Sequence, residues 1–131
     1  MANFIPKCGY EYIHPLTKEI VARIPDSIRY GNYQFGDMID GEFKPQYVGR
    51  SVSGLKGEIE QQRHLKVDEG DATYKFFRYC RADSAREAYE NECIDYHANG
   101  ENEFLDNIDH PAKLPGTEFP CPVEGCEYNE E

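Results

Sequence analysis

Few residue types in this 131-residue chain can do chemistry, and they fall in two groups. The first is a pair of tyrosines beside glycines. Tyr33 closes Gly31-Asn32-Tyr33, and Tyr47 opens Tyr47-Val48-Gly49, with Arg50 directly after it. A phenol ionises near ~10 unless a cation or metal favours the phenolate. Arg50 is a cation near enough in sequence to serve such a site. Further on, Glu92 interrupts the apolar stripe of Ala85, Ala88, Tyr89, Cys93 and Tyr96. A carboxylate among such neighbours is costly to bury unpaired, so it marks either a metal ligand or half of an ion pair. The second group is Cys121-Pro122-Val123-Glu124-Gly125-Cys126, one half of a zinc knuckle with a wide spacing. It needs two more ligands, and His110, Cys93, His97 and Cys8 are the candidates. The alternative is a pair of thiols in a loose tail. His64 and His97 read as surface residues.

The elements that must position these residues follow from periodicity. Ile28 to Phe35 alternates as a strand, Gly36-Asp37 and Asp40-Gly41 carry turn chemistry, and Pro45 stands where a second strand would begin. The plain reading is a hairpin with two core aromatics. Leu55, Ile59 and Gln62 share one side of a helix over residues 55–65, and Tyr74 to Cys80 is an aromatic strand. Ser84, with Glu87 three residues later, opens a second helix that stops near Ala98-Asn99-Gly100. Ahead of these, Cys8 to Ile24 reads as a hairpin turning at His14-Pro15-Leu16-Thr17, with a short helix over Lys18 to Ile24 as the alternative.

These elements give an α+β fold, a small central three-stranded sheet, antiparallel or mixed, flanked by helices. Residues 1–28 form an N-terminal hairpin extension, 29–107 the central domain and 108–131 an acidic, cysteine-containing extended tail.

Strand, strand, helix, strand, helix, with Gly31-Asn32-Tyr33, Tyr47-Val48-Gly49 and Ala88-x-x-x-Glu92 in that order, resembles the GIY-YIG nuclease superfamily. The resemblance covers roughly residues 31–107. It implies a metal-dependent endonuclease that hydrolyses nucleic-acid phosphodiesters. Tyr33 would be the base or water-orienting group, Tyr47 its support, and Glu92 the ligand of one divalent ion, Mg²⁺ or Mn²⁺. The sequence departs from the family where the helix should offer an arginine, because Glu58 stands there. A carboxylate at that point would repel the scissile phosphate. Arg50 is the first substitute, ahead of Lys56, with Arg63 also near. A late-helix asparagine of the family corresponds to Asn102 or Asn107. The same resemblance therefore also fits a module that has lost hydrolysis and binds nucleic acid or a protein partner.

Composition limits the partners. The formal net charge is -11, unfavourable for broad contact with a phosphate backbone. The basic residues are denser between Arg29 and Arg86, so an anionic ligand fits the middle better than the acidic tail. No apolar run is long enough for a membrane helix, and the first residues lack the pattern of a signal peptide. Five cysteines, an odd count, suit a reducing cytoplasm with thiols buried, free or metal-bound and no disulfide framework.

Overall fold

The structure is a computed structural model, and it describes residues 9, 10 and 12–126. Four strands form one antiparallel sheet in the order β1-β4-β2-β3. They are β1 (His14–Pro15), β2 (Gly31–Ile39), β3 (Glu42–Ser51) and β4 (Phe76–Arg81). The expected three-stranded sheet thus gains a short fourth strand. His14 and Pro15, read as a turn, pair with Phe77 and Phe76 on β4. The expected second arm of an N-terminal hairpin is instead helical, α1 (Lys18–Val21), capped by the Thr17 hydroxyl accepting from the Ile20 amide. Val21 and Ile24 are buried by it. One helical turn buries both residues on one side, which an alternating strand cannot do at that spacing.

The β2–β3 hairpin turns only at Asp40-Gly41, whose φ values of 54° and 80° are those of a two-residue type I′ turn. Gly36-Asp37, expected to turn, stays in the strand. The ladder absorbs it by a bulge between Phe35 and Gly36, opposite Tyr47 and Pro45. Pro45 lies inside β3 rather than at its start. This is tolerated because β3 is the outer strand, where a missing amide donor need not break the ladder.

The two sheet faces have different contents. On one, Tyr33 and Phe35 of β2 and Phe77 of β4 pack with Leu16, Ile24, Ile28 and Tyr74 around α2 (Leu55–Arg63). Leu55 and Ile59 of that helix are fully buried. Burying each such side chain contributes about 1.5–3 kcal/mol. Gly31 admits Leu55, since a Cβ there would lie 3.0 Å from its Cδ2 and 2.6 Å from the Cys80 carbonyl oxygen. The helix runs on as a π-helical turn over His64–Asp68. On the other face lies α3 (Ala85–Ala98). Its cap forms as expected, with the Glu87 amide donating to Ser84 Oγ and the Glu87 carboxylate reaching back to the Asp83 amide. After α4 (Glu101–Phe104) the chain runs without regular structure to Cys126.

Cys80 is disulfide-bonded, which corrects the expectation of a chain without disulfides. Cys93, Cys121 and Cys126 are buried and not disulfide-bonded, while Cys8 lies outside the described residues. Among the described residues no helix is long and apolar enough to cross a membrane.

Candidate functional site

Tyr33 and Tyr47 come together on the α2 face. Tyr33 is fully buried, and its ring centroid lies 6.3 Å from that of Tyr47. Gly49 is directly opposite Tyr33 in the ladder, and a Cβ there would stand 2.3 Å from the tyrosine Cζ. The glycine two residues after Tyr47 is therefore the gap through which the Tyr33 ring passes. The Tyr33 hydroxyl donates to Glu58 Oε2 at 2.8 Å. Burial pushes the Tyr33 phenol well above its ordinary range, and Tyr47, Glu58 and Glu92 push it further. Burial likewise raises Tyr47 to about 12, with Glu92 and Glu58 adding to the shift. Lys66, a residue not anticipated from the sequence, sits with its Nζ 4.1 Å from the Tyr47 ring centre. Neither phenol is poised to ionise at neutral pH.

Arg50 and Glu92 meet on the opposite, α3 face. Arg50 is paired across the ladder with Asn32, whose amide donates to the Ala88 carbonyl of α3. Its Nη1 donates to Glu92 Oε1 at 2.9 Å, and the two side chains are 17% and 12% exposed. The second guanidinium nitrogen donates to the Ala112 carbonyl at 2.8 Å. Burial raises the Glu92 carboxyl to about 7, although Arg50 acts in the opposite sense. The other cations near the helix are also engaged. Lys56 pairs with Asp26 at 2.6 Å, and Arg63 is held by Glu60 and Asp68. The four expected site residues thus form two contacts, one on each side of outer strand β3. They sense one another electrostatically without sharing a hydrogen bond across it.

Between α3 and the sheet lies a buried polar layer that sequence pattern does not reveal. Asn91 donates to Asn32, Arg78 donates to Gln34, and the Tyr10 hydroxyl donates to Asp95. Burial raises the Asp95 carboxyl to about 7. The layer escapes sequence reading because its members come from β2, β4, α3 and the segment before β1 and carry no motif. Of the two candidate asparagines, Asn107 grips β3: its side chain accepts from the Val48 amide at 3.0 Å and donates to the Val48 carbonyl at 2.8 Å. The Asn102 side chain donates to the Ile108 carbonyl, at 3.4 Å.

The tail forms a second cluster. One ligand atom each from His97, His110, Cys121 and Cys126 lies within 4.8 Å of every other. Cys126 Sγ and His110 Nε2 are 3.4 Å apart. His97 Nδ1 is 2.6 Å from Glu101 Oε2, and its buried Nε2 has no hydrogen bond of good geometry among the described residues. His110 Nδ1 is 2.9 Å from the Pro111 carbonyl. Both imidazoles therefore have one nitrogen on an oxygen and the other toward the sulfurs. Metal-binding histidines have this arrangement, in which the outer oxygen fixes the tautomer. The neighbouring Cys93, His97 and His110 side chains hold the Cys121 thiol well below its usual range, while its hydrogen bond to Cys121 and burial raise Cys93. Two histidines and two cysteines are a tetrahedral zinc-type donor set, with zinc bonds of about 2.0–2.3 Å.

His97 is accordingly no surface residue; its side chain is 11% exposed. Its position one turn after Cys93 on the buried side of α3 is the signal that could have placed it with the tail cysteines. No protein-family model matches this chain, and no curated protein or solved structure matches it either.

Proposed function

We propose that this chain is a GIY-YIG-like module that has lost phosphodiester hydrolysis and serves as a protein-interaction domain, its tail held by Zn²⁺. One observation carries the first part: Arg50 and Glu92 are spent on each other. A glutamate that holds Mg²⁺ or Mn²⁺ must offer an open carboxylate, and a guanidinium that stabilises a phosphate must face it. Glu58, in the place where the family has its arginine, instead accepts the Tyr33 hydroxyl proton donor. With a net charge of -11 and Arg50, Lys56 and Arg63 in ion pairs, the chain offers little to a phosphate backbone. Phe104 and Ile108, 74% and 80% exposed, suit a protein contact better.

A nuclease remains the second reading, favoured by Tyr33 and Tyr47 lying together within electrostatic reach of Glu92. A cleavage assay on linear, nicked and branched DNA with Mg²⁺ or Mn²⁺, run beside Glu92→Ala, separates the two. We expect no cutting by either protein. Metal-dependent cutting that disappears in the variant would overturn the non-hydrolytic reading. The zinc reading is tested separately by the metal content of purified protein, expected at one zinc per chain.

A further inference from the structure

The geometry points to the tail as a zinc-latched strap that closes the outer edge of β3 over the junction between the Tyr33–Tyr47 contact and the Arg50–Glu92 pair. The inference rests on the zinc reading above and adds a controlling role to that site.

The strap begins where α4 ends. The Asp106 amide donates to the Gln46 carbonyl at 2.6 Å. Asn107 next engages both the amide and the carbonyl of Val48, imitating a ladder partner with its side chain. The Tyr74 hydroxyl bonds the Asp106 carboxylate on the α2 side, and Ala112 offers its carbonyl to Arg50 on the α3 side. The strap therefore occupies the outward-facing hydrogen-bonding groups at Gln46 and Val48, an edge that is otherwise open to pairing. It also bonds Arg50 of the candidate site on the α3 face and, on the α2 face, Tyr74, whose ring packs against Phe35.

Besides the hydrogen bonds above, the strap is anchored at its start by Leu105, which packs with Val48 and Tyr96, and further along by the cluster. Asp106 and Ala112 are exposed, and the segment has no strand or helix of its own between Leu105 and Cys126. Leu114, Val123, Cys121 and Cys126 pack with Tyr89 and Cys93 of α3, and this small core is lined by the donors themselves. His97 belongs to α3, whereas His110, Cys121 and Cys126 belong to the tail. An ion bound by all four would tie the strap to the helix that carries Glu92. A bound ion contributes its binding free energy to whatever its ligands order, so its loss releases the tail while the sheet keeps its own core.

Hydrogen exchange of the 131-residue chain tests this, with zinc bound and after removal by a chelator, alongside zinc content and the His110→Ala variant. We expect zinc loss to speed exchange at the Val48 and Asp106 amides at least tenfold, while the Phe35 and Phe77 amides keep their protection. His110→Ala should reproduce that pattern without chelator. Zinc loss with unchanged protection at Val48 and Asp106 overturns the strap and leaves the zinc reading intact. Loss of protection throughout the sheet also overturns it, since the ion would then hold the fold rather than a strap. A protein that takes up no zinc overturns the zinc reading, and the latch with it.

Discussion

Glu92 and His97 lie on the same helix, little more than one turn apart, yet their surroundings differ in kind. Around Glu92 the expected site residues are paired with one another or with Glu58: Arg50 donates to the Glu92 carboxylate, and the Tyr33 hydroxyl donates to Glu58. Around His97 the donors are oriented from outside by Glu101 and the Pro111 carbonyl, while their other atoms converge on one another. In the first region one oxygen of Glu92 is taken up by Arg50 and one oxygen of Glu58 by Tyr33. The second has a weak sequence signal and a donor set suited to an ion. Chemical capacity follows from which lone pairs and charges remain uncommitted after folding, more than from which residues are present.

The largest break in that contrast should come from Arg50→Ala. It leaves Glu92 buried without its partner, and a buried ion pair broken on one side costs about 3–5 kcal/mol. Replacing both, as Arg50→Met with Glu92→Leu, should recover most of the loss in urea unfolding at pH 8. A double variant as unstable as the single one would show that the pair's mutual satisfaction is not what holds this region.

Acidity probes the same carboxyl. Glu92 is raised to about 7 in the folded protein against 4.5 as its ordinary value. The folded state therefore holds a proton that the unfolded state has lost across that window. Stability from this group is highest below about 4.5, falls as pH rises through the window, and reaches its full loss of about 3 kcal/mol above about 7. The difference between wild type and Glu92→Gln, measured at each pH so that shared titrations cancel, should change by that order. A constant difference from pH 8 to 5 would mean that Glu92 titrates normally.

In the tail, Cys121→Ser should abolish zinc retention. At free zinc one hundredfold above the dissociation constant, bound metal adds about 2.7 kcal/mol, so the melting temperature of wild type but not of the variant should rise with added zinc. Equal responses of the two proteins would remove Cys121 from the ligand set. The smallest effect expected is that of Ser84→Ala, which deletes the cap of α3. A loss of about 1 kcal/mol is expected, with zinc content unchanged. A fall in zinc content would reveal that the helix N-terminus and the metal cluster are coupled through the length of α3.

Local chemistry made much of this protein legible from its residues. The Asp40-Gly41 turn, the aromatic strand around Phe77, the capped helix from Ser84 and the odd carboxylate at Glu92 each follow from interactions within a few residues. Their signals are periodicity and backbone preference, which the sequence carries directly. The N-terminal segment misled because β1 exists only through pairing with β4, and α1 because burial of Val21 and Ile24 decided between two local options. The partner of Glu92 could not be read locally either: it is Arg50, 42 residues away. The tail shows the same division. The spacing of Cys121 and Cys126 offers two sulfur donors, but only packing the tail against α3 brings His97 and His110 to them and leaves Cys93 outside the four. Sequence determined which residues could bond; the tertiary structure decided which of them still had a bond to offer, because long-range pairing consumes donors and charges that no local pattern records.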